Sequence, residues 1–198
     1  MNSRRQLQAA QTRHDILMAA RRLFAAQGYR ATRIADIADE ANVSPQTIYD
    51  SIGSKSAIVA ALADGLEADI GLDELIPRIV HGDDPRDVIA AQLEISRRLV
   101  SQAGDIQRAL AQGAGEPELR ELRAAGRRRH HSGASQVISR LDTLGVLAPD
   151  ADRDRLTDSL AALTDGETVL VFVDQYGWNV DEAIHFLRRQ IERELLGP

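Results

Sequence analysis

The stretch from Thr32 to Lys55, T-R-I-A-D-I-A-D-E-A-N-V-S-P-Q-T-I-Y-D-S-I-G-S-K, constrains the fold of this chain more than any other. Its spacing predicts two short helices joined by a tight turn. Thr32 is placed to cap the first helix, whose inward face carries Ile34, Ile37, Ala38 and Ala41, and Asn42 and Val43 make the turn. Ser44 caps the second helix, with Pro45 at its first position, where a missing N–H costs nothing. Ile48 and Ile52, four residues apart, give that helix one apolar stripe and leave Gln46, Thr47, Tyr49, Asp50 and Ser51 facing outward. A short helix with its core face used up and a small polar face is the shape a major groove accepts. The stretch reads as a helix-turn-helix.

Two helices of this length cannot bury enough surface alone, so a third element is required. Residues 12–27 supply it: Ile16, Ala20, Leu23, Phe24 and Gln27 follow the spacing of an amphipathic helix, and Gly28 ends it. Thr12 and Asp15 resemble a capping box at its start. The ten residues before it read as an arm, either laid along DNA through Arg4 and Arg5 or disordered. After Gly53 and Ser54, a helix over 55–70 carries Ile58, Leu62, Leu66 and Ile70 on one stripe. Lys55 stands just inside its N-terminus, where free N–H groups favour an anion, so it is a candidate phosphate clamp, a solvated surface lysine being the plainer alternative.

Net charge is −6, which argues against a nucleic-acid partner unless the charge is unevenly spread. Residues 1–60 hold eight basic and five acidic side chains, a net of +3, and the remaining 16 basic and 25 acidic groups leave −9 on the rest. A basic module carried on an acidic body suits a polyanion partner, although the local excess is small. Aromatic residues make up only 4% of the chain, so Leu, Ile, Val and Ala must build the core, and helix is favoured almost throughout. The run 169–173 has strand-like composition but sits in helical surroundings. The fold class expected is therefore all-α.

With no cysteine, disulfide and thiol chemistry are excluded, which fits a reducing compartment. No apolar run approaches the roughly 18 residues of a membrane span, and the N-terminus has no signal-peptide core, so a soluble cytoplasmic protein with no membrane partner is expected.

The order of motifs over 12–60, with A-A-R-R-L-F-A-A-Q-G-Y preceding T-R-I-A-D-I-A-D-E-A-N-V-S-P-Q-T-I-Y and G-S-K, resembles the DNA-binding domain of the TetR family of bacterial transcriptional regulators. The resemblance implies an all-helical homodimer with a DNA-binding domain over 10–70 and a ligand-binding and dimerisation domain over 71–198. It also implies a double-stranded, palindromic DNA operator and a small-molecule effector. By position, Thr32, Arg33, Ser44, Gln46, Thr47, Tyr49 and Lys55 match places that meet DNA in such proteins. The chain departs from the family after Tyr49, where Asp50 replaces a basic or aromatic residue. Asp50 either helps to specify a C·G pair through cytosine N4 or turns away from the DNA and hydrates, the reading favoured from sequence because phosphates repel a carboxylate.

Beyond residue 70 the pattern is coarser. A short helix over 73–80 is expected to be cut by Pro77, and helices follow at 86–102, 105–112, 117–144, 152–163, 166–176 and 181–196. The cluster Arg127-Arg128-Arg129-His130-His131 could bind an anionic effector or sit in a pocket, but reads better as a solvated helix face with one or two pocket-edge residues, and its adjacent His residues point about 100° apart and do not share a metal easily. Tyr176 and Trp178 suit either a ligand pocket or a dimer core. No glycine-rich phosphate loop, nucleophile elbow or HExxH pattern is present, so no enzyme activity, cofactor or metal site is expected. The expected function is repression released by an effector. A ligand-dependent activator, or a helical binding module that does not use DNA, are the alternatives.

Overall fold

The computed structural model describes residues 2–64 and 70–197, and all regular structure among them is helical. In chain order the helices are α1 (Asn2–Gln27), α2 (Ile34–Glu40), α3 (Pro45–Ser51), α4 (Lys55–Asp64), α5 (Leu72–His81), α6 (Pro85–Gln112), α7 (Pro117–Thr143), α8 (Arg153–Thr164), α9 (Gly166–Tyr176) and α10 (Val180–Leu196). The chain divides into two compact units. One comprises residues 1–66 with 105–124, and the other 67–104 with 125–198.

In the first unit, α1 packs on α2, α3 and α4. Ile16, Ala19, Ala20 and Phe24 of α1 are buried, as are Ile37, Ala38, Ile48, Ile58 and Val59 of the three shorter helices. Asn42 takes a left-handed φ of 53° at the turn between α2 and α3, a conformation that asparagine tolerates better than most side chains. The stretch 105–124 belongs to this unit as well, contributing buried Ile106, Ala109 and Leu119.

In the second unit, buried residues from α5 to α10 form one cluster that includes Ile79, Val88, Ile89, Leu93, Val137, Ile138, Leu141, Leu160, Leu187 and Ile191. Helix α9 absorbs the 169–173 run, with Val169 and Leu170 buried, and Gly177 ends it with φ 73°. Phe172, Trp178 and Phe186 meet beside it at centroid distances of 4.9–5.5 Å. Phe186, off the main apolar stripe of α10, is thereby given a partner.

Several local expectations are corrected. Helix α1 begins ten residues before the expected start, because residues 2–11 contain no glycine or proline and are rich in helix formers. Thr12 accordingly caps nothing: its hydroxyl donates to the Gln8 carbonyl inside the helix (3.0 Å). Arg33, rather than Thr32, is the N-cap of α2. Pro77 does not cut α5, which continues through it to His81. The two helices expected at 86–102 and 105–112 form one, kinked at Ala103 (φ −144°, ψ 22°). Helix α4 is described to Asp64. The remainder of the expected 55–70 helix, Leu66 included, falls on 65–69, outside the described residues, and Ile70 stands in a turn.

Candidate nucleic-acid interface

The interface is built on α3. Ser44 Oγ accepts from the Thr47 amide (3.1 Å), satisfying one of the free N–H groups at the helix start, and its oxygen lies 2.9 Å from Thr47 Oγ1. Ile48 is fully buried and fixes the rotation of the helix about its axis. Gln46, Tyr49 and Asp50 are exposed, Tyr49 at 53%, and Thr47 is half-buried. One turn apart, Gln46 and Asp50 are joined: Gln46 Nε2 donates to Asp50 Oδ1 at 2.8 Å. At the other end of the helix, Arg13 from α1 donates to the Ser51 carbonyl (3.0 Å), a brace that spacing along the chain could not have suggested.

Of the seven residues marked by sequence, four gather here: Ser44 at the cap, and Gln46, Thr47 and Tyr49 on the helix. Arg33 stands apart, at the N-cap of α2, with its guanidinium exposed but paired to Asp36 (3.1 Å). Arg33 also donates from its backbone N–H to Asp36 Oδ2 (2.9 Å), and both contacts hold the Asp36 carboxyl below its usual range. The pair is solvated, so the guanidinium can exchange Asp36 for a phosphate at little cost.

Thr32 and Lys55 lie differently. Thr32 is only 1% exposed, and its hydroxyl donates to the Gly28 carbonyl (2.9 Å) while Gln27 Nε2 approaches it at 3.3 Å. Lys55 is half-buried and donates to two backbone carbonyls, those of Tyr29 and Thr32, each at 2.9 Å. Its ammonium also sits 4.1 Å from the centroid of the Tyr29 ring. Lys55 therefore fastens the 29–32 connection that leads into α2. One of its three N–H donors is left for any anion.

That connection is held from a second side by 112–118. Gln112 Oε1 accepts from the Tyr29 amide (2.8 Å), and Arg30 Nε donates to the Gln112 carbonyl (3.1 Å). The Tyr29 hydroxyl donates to Glu116 (2.5 Å), and the Ser56 hydroxyl to Glu118 (2.6 Å). Burial, and then the Glu116 carboxylate, push the Tyr29 phenol well above its usual range, so it remains a donor. Sequence reasoning missed these residues because their partners lie more than 60 positions away.

The family described as "Bacterial regulatory proteins, tetR family" matches residues 16–62, and "BetI-type transcriptional repressor, C-terminal" matches 107–196. Among curated relatives, the chain is similar to the HTH-type transcriptional repressor Rv3405c of Mycobacterium tuberculosis, with 33% identity over 88 residues, 44% of each protein. It is also similar to the HTH-type transcriptional regulator HbdR of Aromatoleum sp., with 41% identity over 71 residues, 35% of this chain and 30% of that protein. Each alignment spans less than half of the relative's length. Among solved structures, a transcriptional regulator of Saccharomonospora viridis in complex with choline aligns with a TM-score of 0.74 at 26% identity, over 94% of this chain and 98% of that one. NalD of Pseudomonas aeruginosa, the secondary repressor of a multidrug efflux pump, has the same fold, with a TM-score of 0.73 at 22% identity over 96% and 98%. Matched in both its N-terminal and its C-terminal portions, the chain belongs to the TetR family of bacterial regulatory proteins.

Proposed function

We propose that the protein is a DNA-binding transcriptional repressor that acts as a homodimer and is released from its operator by a small molecule. The observation that carries the DNA-binding part is the outward face of α3. Its apolar side is spent on Ile48, and Gln46, Thr47, Tyr49 and Asp50 are left as a polar surface one helix wide. In this reading α3 enters a major groove, Tyr49 and Arg33 meet phosphates, Gln46 and Thr47 read base edges, and Lys55 and Thr32 set the entry of α2. Two heads would then address half-sites about one turn, roughly 34 Å, apart.

The test is binding of the full chain to the DNA upstream of its own gene, against a scrambled duplex at moderate salt. A clear preference that Gln46→Ala weakens and added salt reduces is the expected outcome. Equal affinity for the two duplexes sinks the reading.

Support for the dimer comes from apolar surface on α9 and its surroundings: Val171 is 39% and Tyr176 66% exposed, beside the half-buried Phe172, Trp178 and Phe186. Sedimentation at micromolar concentration should give a dimer, and Phe172→Glu should dissociate it. For the effector we infer the groove of about 270 Å³ between α5, α6 and α10, whose walls include Arg78, Arg98, Arg188 and Glu94 over Leu93 and Ile184. Each guanidinium there has a carboxylate partner, Arg78 with Asp87, Arg98 with Glu94 and Arg188 with Glu192, so the groove presents balanced charge pairs over an apolar floor, and a screen should include anionic, cationic and neutral organic molecules. The choline held by the Saccharomonospora regulator is that protein's ligand and is not carried over to this groove.

A further inference from the structure

The hydrogen bond between Gln46 and Asp50 decides what the reading face of α3 offers to a base. A carboxylate only accepts, so the amide nitrogen of Gln46 must be the end turned toward Asp50. The carbonyl oxygen of Gln46 is thereby left facing away from Asp50. The second carboxylate oxygen of Asp50 stays uncommitted, since no basic side chain pairs with this group among the described residues. The nearby hydroxyls do not change the balance: Ser44 and Thr47 are engaged with each other, and Arg33 is engaged with Asp36. At the C-terminal end of the helix, Arg13 is bonded to the Ser51 carbonyl.

The free oxygen of Asp50, held in place by the amide of Gln46, needs a donor opposite it. In the major groove the donors on base edges are the N4 amino group of cytosine and the N6 amino group of adenine. Beside adenine N6 lie N7 on the same base and O4 of the paired thymine, both acceptors that repel a carboxylate. Cytosine N4 has an acceptor, guanine O6, on one side and only a C–H on the other. Guanine, with N7 and O6, and thymine, with O4, offer no donor at all.

Resting on the DNA-binding reading above, the geometry points to Asp50, braced by Gln46, as the acceptor that selects a C·G pair, with cytosine on the contacted strand. Asp50 is then a specificity-determining residue whose charge lowers affinity for DNA in general and restores it where a cytosine amino group is met. This also accounts for a carboxylate on a face turned toward a polyanion: it discriminates more than it attracts.

The experiment is selection from a randomised duplex library by the full-length protein, with sequencing of the bound fraction, for wild type, Asp50→Asn, Asp50→Ala and Gln46→Ala. Asp50 is exposed, so these variants keep the fold, and circular dichroism verifies it. Wild type should enrich half-sites with cytosine at one fixed position. Asp50→Asn should move that position toward adenine, which asparagine reads through N6 and N7. Asp50→Ala should flatten it, with discrimination falling about 5- to 30-fold while the remaining positions are retained. Gln46→Ala should blur the same position, because the carboxylate loses its anchor. Both Asp50 variants should also bind scrambled DNA more tightly than wild type. An Asp50→Ala protein that keeps the same cytosine preference overturns the inference and leaves the DNA-binding reading intact. A wild type that enriches no sequence overturns both.

Discussion

Lys55 shows how far a single residue can be read in advance. Its place at a helix start was legible and suggested a phosphate clamp. Its two carbonyl partners, on Tyr29 and Thr32, depend on how a connection more than 20 residues earlier folds back, and no local pattern carries that. The two roles separate experimentally. If Lys55 mainly fastens the 29–32 connection, Lys55→Ala costs about 2–3 kcal/mol of stability, because two buried-side carbonyls lose a charged donor. If it mainly meets a phosphate, Tm is unchanged and the salt dependence of DNA binding falls by about one counterion. The structure favours the first, and thermal melts alongside salt titrations decide. Glu94 gives a second residue-scale expectation. Hydrogen bonds from Arg97, and then Arg98, bring its carboxyl down from 4.5 to about 2 against the opposing effect of burial. A carboxylate whose pKa is lowered on folding contributes stability above its unfolded pKa and loses it as pH falls toward the folded value. Glu94→Gln should therefore be less stable than wild type at pH 7, by roughly 1–2 kcal/mol after screening of this partly exposed cluster. The gap should close between about pH 5 and pH 2 in urea titrations. A gap independent of pH would assign the loss to packing.

At the scale of elements, strong periodicity was legible and terminations were not. The turn at Asn42, the Ser44 cap, Pro45 at the helix start and the buried Ile48 all follow from residues close together in the chain, and each is found where expected. The start of α1 and the passage of α5 through Pro77 went the other way. A frayed arm was expected at residues whose propensity in fact continues a helix, and a proline costs one ladder bond that buried Leu75 and Ile79 offset. Gly28 joins both kinds of information. Its role as the end of α1 could be read, and its φ of 82° agrees. A Cβ there would also lie 2.8 Å from the Gln112 side chain that accepts from the Tyr29 amide, which only the fold reveals. Gly28→Ala should thus strain the backbone and displace Gln112 together, for a loss of about 1–3 kcal/mol. Combining it with Gln112→Ala, which removes the obstacle, should recover the steric part. Strictly additive losses in denaturant melts would show that the two do not communicate.

For the whole molecule, the division at residue 70 read from sequence follows the DNA-binding motif, whereas packing assigns 105–124 to the same unit as the N-terminal helices. A composition shift cannot reveal this, because 105–124 is ordinary amphipathic helix and short connection, and its apolar residues look like any others. Physically, the N-terminal helices are a poor domain by themselves. About 65 residues bury only some 60% of their unfolded surface and are marginal. Ile106 and Leu119, 2% and 0% exposed, each contribute about 1.5–3 kcal/mol of burial, before the bonds to Tyr29, Arg21 and Ser56 are considered. That sum is comparable with the whole stability of a small domain. We therefore expect a fragment ending at residue 70 to keep helical circular dichroism but lose a sharp thermal transition. A fragment with 105–124 joined on through a flexible linker should regain it. Helix α6 carries residues of both units along one element, kinked at Ala103 beside the division between 104 and 105. Should the short fragment melt as cooperatively, and as high, as the linked one, then 105–124 contributes nothing to the stability of the head.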